Sequence, residues 1–306
     1  MSIIRHPDDA IVYEPTLPRE YEPRRPRLEL PGGAKLAVSL LLHAPSYQDD
    51  LPASAIKPMA MSGGVGRETS EPKHGQVARL SQWDFGLTVG IFRLTAMAER
   101  LRLPFAVALD AAGVTTMPGL ATAIAATADE IVVRGRAAND LIGESMTVDE
   151  ERAYIRESRS TVEHMTGMTA TGWFSPERAN STRTPGLLAD EGFAWFGDWP
   201  HDERPVELVG QAAGLVAVPS ALETEDMFAL FARGLPFPDY ERLLVETLDQ
   251  LVEDAAVHGG RTLVLSWFGW VLGQACFADV AERIMERIAS DPDIMVVTPH
   301  EMSLLR

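Results

Sequence analysis

From residue 35 to the C-terminus, strand-length apolar runs alternate with stretches of helical periodicity, and this alternation restricts the chain more than any other feature. Strands are predicted at 35–42, 104–109, 130–133, 171–174, 194–196, 215–218, 262–267 and 294–297. Helices are predicted at 89–101, 118–127, 147–165, 185–191, 240–257 and 278–289. The run at 35–42 is apolar at nearly every position, as a strand covered on both faces must be. Thr147 and Glu150 have the spacing of a capping box, and Gly167 supplies the matching stop. Repeated strand–helix units imply an α/β fold with a parallel sheet inside and helices outside. About seven or eight strands favour a closed or nearly closed barrel over an open sheet.

Two segments stand outside that alternation. Residues 1–33 carry Pro15, Pro18, Pro23, Pro26 and Pro31, which deny helix and sheet their donors, so an extended arm is expected. Such an arm wraps its own domain or reaches a neighbouring subunit, and a homo-oligomer is expected on that ground. Residues 44–82 are rich in Pro, Gly and Ser without a period, and a loop of that length is expected to cover the barrel mouth. With no internal repeat and no later linker, residues 34–306 read as one domain.

Lys and Arg number 27 against 44 Asp and Glu, a formal net charge of −17 that disfavours nucleic acid and anionic membranes as partners. Cys276 is the one cysteine, so no internal disulfide can form, which fits a reducing cytoplasm. The polar residues 1–25 have no signal-peptide core, and the apolar runs at 37–42 and 263–270 fall far short of the ~20 residues of a membrane span. A cytoplasmic location and a small-molecule substrate are the expectations.

In a parallel barrel the chemistry sits just beyond the C-terminal ends of the strands. The loops to inspect therefore begin at His43, Asp110, Arg134, Ser175, Asp198, Ser220 and Phe268. The glycine-rich 62–66 segment lacks the Lys-Ser/Thr of a phosphate loop, and Cys276 has no paired base in sequence.

Five segments in register carry a resemblance. Residues 83–93 (Trp-Asp-Phe-Gly-Leu-Thr-Val-Gly-Ile-Phe-Arg) resemble the entry to the first large helix of the polysaccharide deacetylase (NodB-homology) superfamily. The match is best with the branch holding PuuE-type allantoinases and cyclic imide hydrolases. Residues 172–176 with 184–193, 198–205, 218–226 and 273–274 resemble further segments of that branch. The resemblance implies a distorted parallel (β/α) barrel of the NodB type and hydrolysis of non-peptide carbon–nitrogen bonds. It also marks departures. Arg134-Gly135 stands where relatives have a ligand His-Gly, Phe268 where they have a late histidine, and His43-Ala44-Pro45 where they have an acidic motif. A catalytic zinc needs three or four converging donors. His43 and His201 are the only histidines in suspect loops, so no bound metal and no other cofactor are expected.

Without a metal, a carboxylate or imidazole must activate water and fixed donors must hold the oxyanion. The candidate acid–base groups are Glu177, Asp198, Glu223 and His43, with Asp226 as a further carboxylate of the pocket. Arg134, Arg136 and Arg178 are candidates to bind an anionic or carbonyl-bearing substrate. Trp83, Trp199, Trp267, Phe268 and Trp270 are candidates to wall a flat pocket. The alternative to a metal-independent hydrolase is a degenerate homologue that binds a small molecule or a subunit without turnover. In that case Arg134 pairs with Asp198 or Glu223 and simply holds the mouth together.

Overall fold

The structure, a computed structural model, describes residues 3–5, 11–13, 16–19, 21–48, 50–58, 60–61, 68–69 and 77–306. The 62–66 glycine-rich segment, His6 and His74 lie outside the described residues, as does part of the 44–82 loop.

A nine-stranded sheet organises the chain. Its strands are β1 (Leu36–Ala44), β2 (Phe105–Leu109), β3 (Glu130–Val133), β4 (Gly172–Trp173), β5 (Trp195–Phe196), β6 (Val206–Glu207), β7 (Val216–Ala217), β8 (Arg261–Phe268) and β9 (Ile294–Val296). The spatial order is β6-β7-β5-β4-β3-β2-β1-β8, with β9 added to β1. Every pairing is parallel except β6 with β7. The sheet curls into an α/β barrel that strand pairing leaves unclosed between β6 and β8. Near that gap the Thr262 amide and hydroxyl donate to the Glu203 carbonyl, at 2.8 and 3.0 Å.

The unbroken apolar run of β1 follows from two separate cores. Leu36, Val38, Leu40 and Leu42 pack outward with Val107, Ile131 and Leu265 against the helices. Ala37 and Leu41 point inward with Ala106, Ala108, Val132 and Val264. Alternation along a strand gives the two faces. It also places the last inward side chains of β1, β3 and β8 over the barrel interior.

Helices α1 (Val77–Phe85) and α2 (Ile91–Leu101) join through a π-helical turn at Gly86–Gly90. A β-carbon on Gly90 would overlap the Gly269 carbonyl, so glycine is required where this helix presses on the loop after β8. The helix therefore begins at Val77, inside the stretch expected to be loop. α3 (Ala111–Thr116) and α4 (Pro118–Ala125) follow β2. The expected helices are otherwise present as α5 (Val148–Thr166), α6 (Thr184–Asp190), α7 (Phe237–His258) and α8 (Ala278–Ser290), with α9 (Pro299–Ser303) in addition. The α5 capping box forms: the Glu150 amide donates to Thr147 Oγ1 at 3.2 Å and the Thr147 amide to Glu150 at 2.7 Å. Gly167 closes the helix at φ 70°. Along α7, Tyr240, Leu244, Leu248, Leu251 and Ala255 form the buried stripe. No helix among the described residues is long and apolar enough to cross a membrane.

Candidate active site at the barrel mouth

Backbone pairing continues one residue past the short strands and fixes the rim. The amides of Arg134, Phe174, Gly197 and Val218 donate to the carbonyls of Leu109, Val133, Trp173 and Phe196. The side chains that follow strand ends are therefore held as firmly as strand residues.

Arg134 lies at the centre, 2% exposed. Its Nε donates to His43 Nδ1 at 3.3 Å, and its guanidinium sits 5.3 Å from the Phe268 ring centroid. Its Nη1 is buried with no hydrogen-bond partner. His43, fully buried, stacks on Phe268 at 4.5 Å and meets Phe174 edge-on at 4.7 Å. Arginine can only donate, so His43 Nδ1 is an acceptor, and His43 Nε2 then donates to Ser266 Oγ at 2.7 Å. This is a neutral imidazole. Burial, then the charges of Arg134 and Arg178, push its pKa well below the usual value.

Glu177 and Arg178 occupy consecutive left-handed backbone positions, at φ 51° and 53°. Such positions cost non-glycine residues about 1–3 kcal/mol each and cluster at functional sites. Arg178 holds the turn: it donates to the Ser220 carbonyl at 2.8 Å and hydroxyl at 3.0 Å, and pairs with Glu225 at 2.6 Å. Glu177, on the same turn, makes no hydrogen bond or ion pair with a described residue. It borders a cavity of about 260 Å³ that Arg134, Phe174, Arg178, Glu225 and Phe268 also line. Glu177 is exposed as a residue, yet the protein atoms around its carboxyl desolvate it and raise its pKa, with Arg134 opposing the rise.

Other carboxylates of the rim accept backbone hydrogen bonds. Asp110 accepts from the Ser46 amide at 2.6 Å, the Gly113 amide at 2.7 Å and the Ser46 hydroxyl, which caps α3. Asp198 accepts from the Ser175 amide at 2.6 Å, while its Oδ2 is buried without a partner. Burial pushes both carboxyls up to about 6 against these hydrogen bonds. Asp226 accepts from the amides of Met227, Phe268 and Leu272 and so staples the loop after β8, its pKa well raised by burial.

The structure thus gathers Arg134, Glu177, Arg178 and Phe268 around one cavity and sets others apart. His43 supports Arg134 from behind. Glu223 is exposed and paired with Arg233 at 3.1 Å. Gly135, at φ 78° and against Tyr154 and Pro176, turns the chain so that Arg136 leaves the mouth, stacking on Tyr154 at 4.6 Å and pairing with Glu157. Trp83 and Trp270 form an adjoining buried cluster with Tyr47 and Phe231 rather than the cavity wall. Trp267 is buried with its Nε1 donating to the Tyr240 hydroxyl, and Trp199 packs edge-on against Phe196. Sequence reasoning passed over Glu225, Leu222, Met227 and Phe228, which line the cavity. In an irregular loop no period tells which carboxylate of 223, 225 and 226 faces inward.

Among the described residues no three His, Cys, Asp or Glu side chains are grouped to hold a metal ion. The position between β1, β3 and β8 is filled by a fixed guanidinium, His43 Nδ1 is engaged by it, and Asp110 is saturated with donors. The residues present do not fit a catalytic zinc.

A larger cleft of about 640 Å³ lies at the other end of the barrel, and its arginines are committed. Arg27 bonds carbonyls at the end of α7, Arg204 those of Pro26 and His258, and Arg25 pairs with Asp202.

No protein-family model matches the chain, and no curated protein matches it. Solved structures do. PuuE allantoinase superposes with a TM-score of 0.78 at 18% identity. Candidate polysaccharide deacetylases from Pseudomonas aeruginosa PAO1 and Mycobacterium smegmatis give 0.77 and 0.75, both at 19% identity. Each comparison covers 92% of this chain and 93% of the other. The chain has the NodB-type barrel fold. At these identities the likeness establishes architecture alone.

Proposed function

We propose that the protein is a polysaccharide-deacetylase-like hydrolase of the NodB superfamily that cleaves a non-peptide carbon–nitrogen bond in a small amide, imide or ureide, without a metal ion. The observation that carries this reading is one cavity bordered by an unpartnered carboxylate, Glu177, and by a buried arginine with an unpartnered N–H, Arg134. Glu177 takes a proton from water as the water oxygen bonds to the carbonyl carbon. The carbonyl π electrons move to oxygen, and Arg134 Nη1 holds the oxyanion. When the oxyanion collapses back to a carbonyl and the carbon–nitrogen bond breaks, the proton passes from Glu177 to the leaving nitrogen, giving an acid and an amine, amide or urea according to the substrate. A carboxyl raised by its surroundings suits both transfers. The cavity's size and its apolar Leu222, Met227 and Phe228 favour a small substrate over a polymer.

Glu177→Gln is expected to lower kcat by about 10²–10⁴, with the fold checked by circular dichroism. Chelator treatment is expected to leave turnover intact. A strict and restorable zinc requirement would overturn the reading.

The saturation of Asp110 and Asp226 favours a second reading, a binder without turnover. A screen of cyclic imides, ureides and N-acyl compounds separates the two: ligand stabilisation with no product selects the binder.

A further inference from the structure

We infer that the barrel mouth is a binding site for small monocarboxylates, with the carboxylate on the Nη edge of Arg134 and the hydrocarbon part along Phe174, Phe268, Leu222 and Met227. The inhibitory consequence rests on the hydrolase reading above. There the acid product is formed on Arg134 itself and competes with substrate.

A buried guanidinium is costly unless it is paired and its N–H groups are bonded. Arg134 is 2% exposed, yet no carboxylate among the described residues comes within ion-pair distance of it. Its one hydrogen bond goes to a neutral imidazole, and Nη1 is left over. Arg178, which lines the same cavity, shows the contrast: Glu225 and Ser220 satisfy both of its Nη atoms. The protein gives one arginine of the cavity a direct ion pair and leaves the other with only longer-range attraction to Glu177 and Asp110, so the direct partner of Arg134 is the ligand's anion.

The walls select the kind of anion. A guanidinium edge matches the two oxygens of a planar carboxylate. Phe174 and Phe268 offer ring surface beside it, and Glu177 and Glu225 oppose a second negative charge. A monoanion with a short apolar tail fits; a phosphate dianion does not.

Titration calorimetry on the full chain at neutral pH tests this, using acetate, N-acetylglycine and N-carbamoylglycine beside their primary amides and inorganic phosphate. At least one acid is expected to bind ten times more tightly than its amide. Arg134→Met is expected to bring that ratio within twofold, and Arg134→Lys to keep part of it, with folding of both checked by circular dichroism. Glu177→Gln is expected to bind the acid as well as or better than wild type while losing turnover. The inference fails if no acid binds wild type better than its amide, or if phosphate binds as tightly as the acids. If Glu177→Gln instead keeps full turnover, the hydrolytic assignment fails and the carboxylate site stands.

Discussion

Two arginines, each 2% exposed, lie at opposite ends of the barrel, and their surroundings differ. Arg261, at the start of β8, forms ion pairs with Glu22 and Glu203 and donates to the Gly259 carbonyl. Arg134, at the end of β3, has an imidazole and an aromatic face. The same division runs through the acids. Glu130 at the base of β3 accepts from Trp195 Nε1 at 2.8 Å and from the His300 amide at 2.9 Å. Glu177 at the mouth accepts from no described residue. A β-carbon on Gly172 would overlap the Trp195 indole, so the lower interior is packed solid, whereas the mouth keeps a cavity. One end spends its polar groups on the fold. The other leaves them open, together with a strained turn, which is how a barrel separates stability from chemistry.

That contrast can be broken most sharply by removing each charge in turn. Arg261→Met is expected to destabilise by about 3 kcal/mol, because two carboxylates and a carbonyl lose their partner. Arg134→Met, which removes an uncompensated charge, is expected to cost less than about 1 kcal/mol. Urea denaturation of both variants measures the gap, and equal losses would dissolve the distinction between the two ends.

A pH series sharpens it. The Asp198 carboxyl titrates at about 6 in the folded chain against 3.8 normally, through burial. Between those values the folded state holds more protons than the unfolded one, so this group's contribution to stability falls as pH rises from about 4 to 6 and is level above. Asp198→Asn keeps an acceptor for the Ser175 amide and is expected to flatten the fall by about 3 kcal/mol. By the same raised pKa, the acid limb of turnover is expected above the usual glutamate range and to vanish in Glu177→Gln. The smallest effect is reserved for Glu223→Gln, an exposed pair with Arg233 expected to shift stability and kcat/KM negligibly. A large loss there would mean that the acidic loop turns its other face inward.

Much of the fold was readable because it depends on patterns of period two and period 3.6. The long strands β1 and β8, the capped helix α5 and the stripe of α7 carry their own evidence in adjacent residues. The missing readings have local causes. α3 depends on Asp110 accepting from Gly113, a cap without the usual glutamate, and β6 is two residues that pair with β7 alone among the described residues. The helix starting at Val77 was hidden by the Ser- and Gly-containing stretch before it.

The candidate site was legible in part. Counting loops after strands led to Arg134, Glu177, Arg178 and Phe268, which the structure brings to one cavity. The same counting also named Glu223, Arg136 and Trp199, because a loop has no periodicity to reveal which way each side chain turns.

The order of residues by itself determined that strands and helices would alternate, that β1 would be buried on both faces, and that the charged residues after the strands would share one rim. Those properties follow from backbone geometry repeated every few residues. The tertiary structure alone decided that Arg134 would be left without a direct ion pair while Arg261 received two. Pairing of buried charges depends on side chains as far apart as residues 22 and 261 meeting within a few ångströms, and no local pattern encodes that meeting.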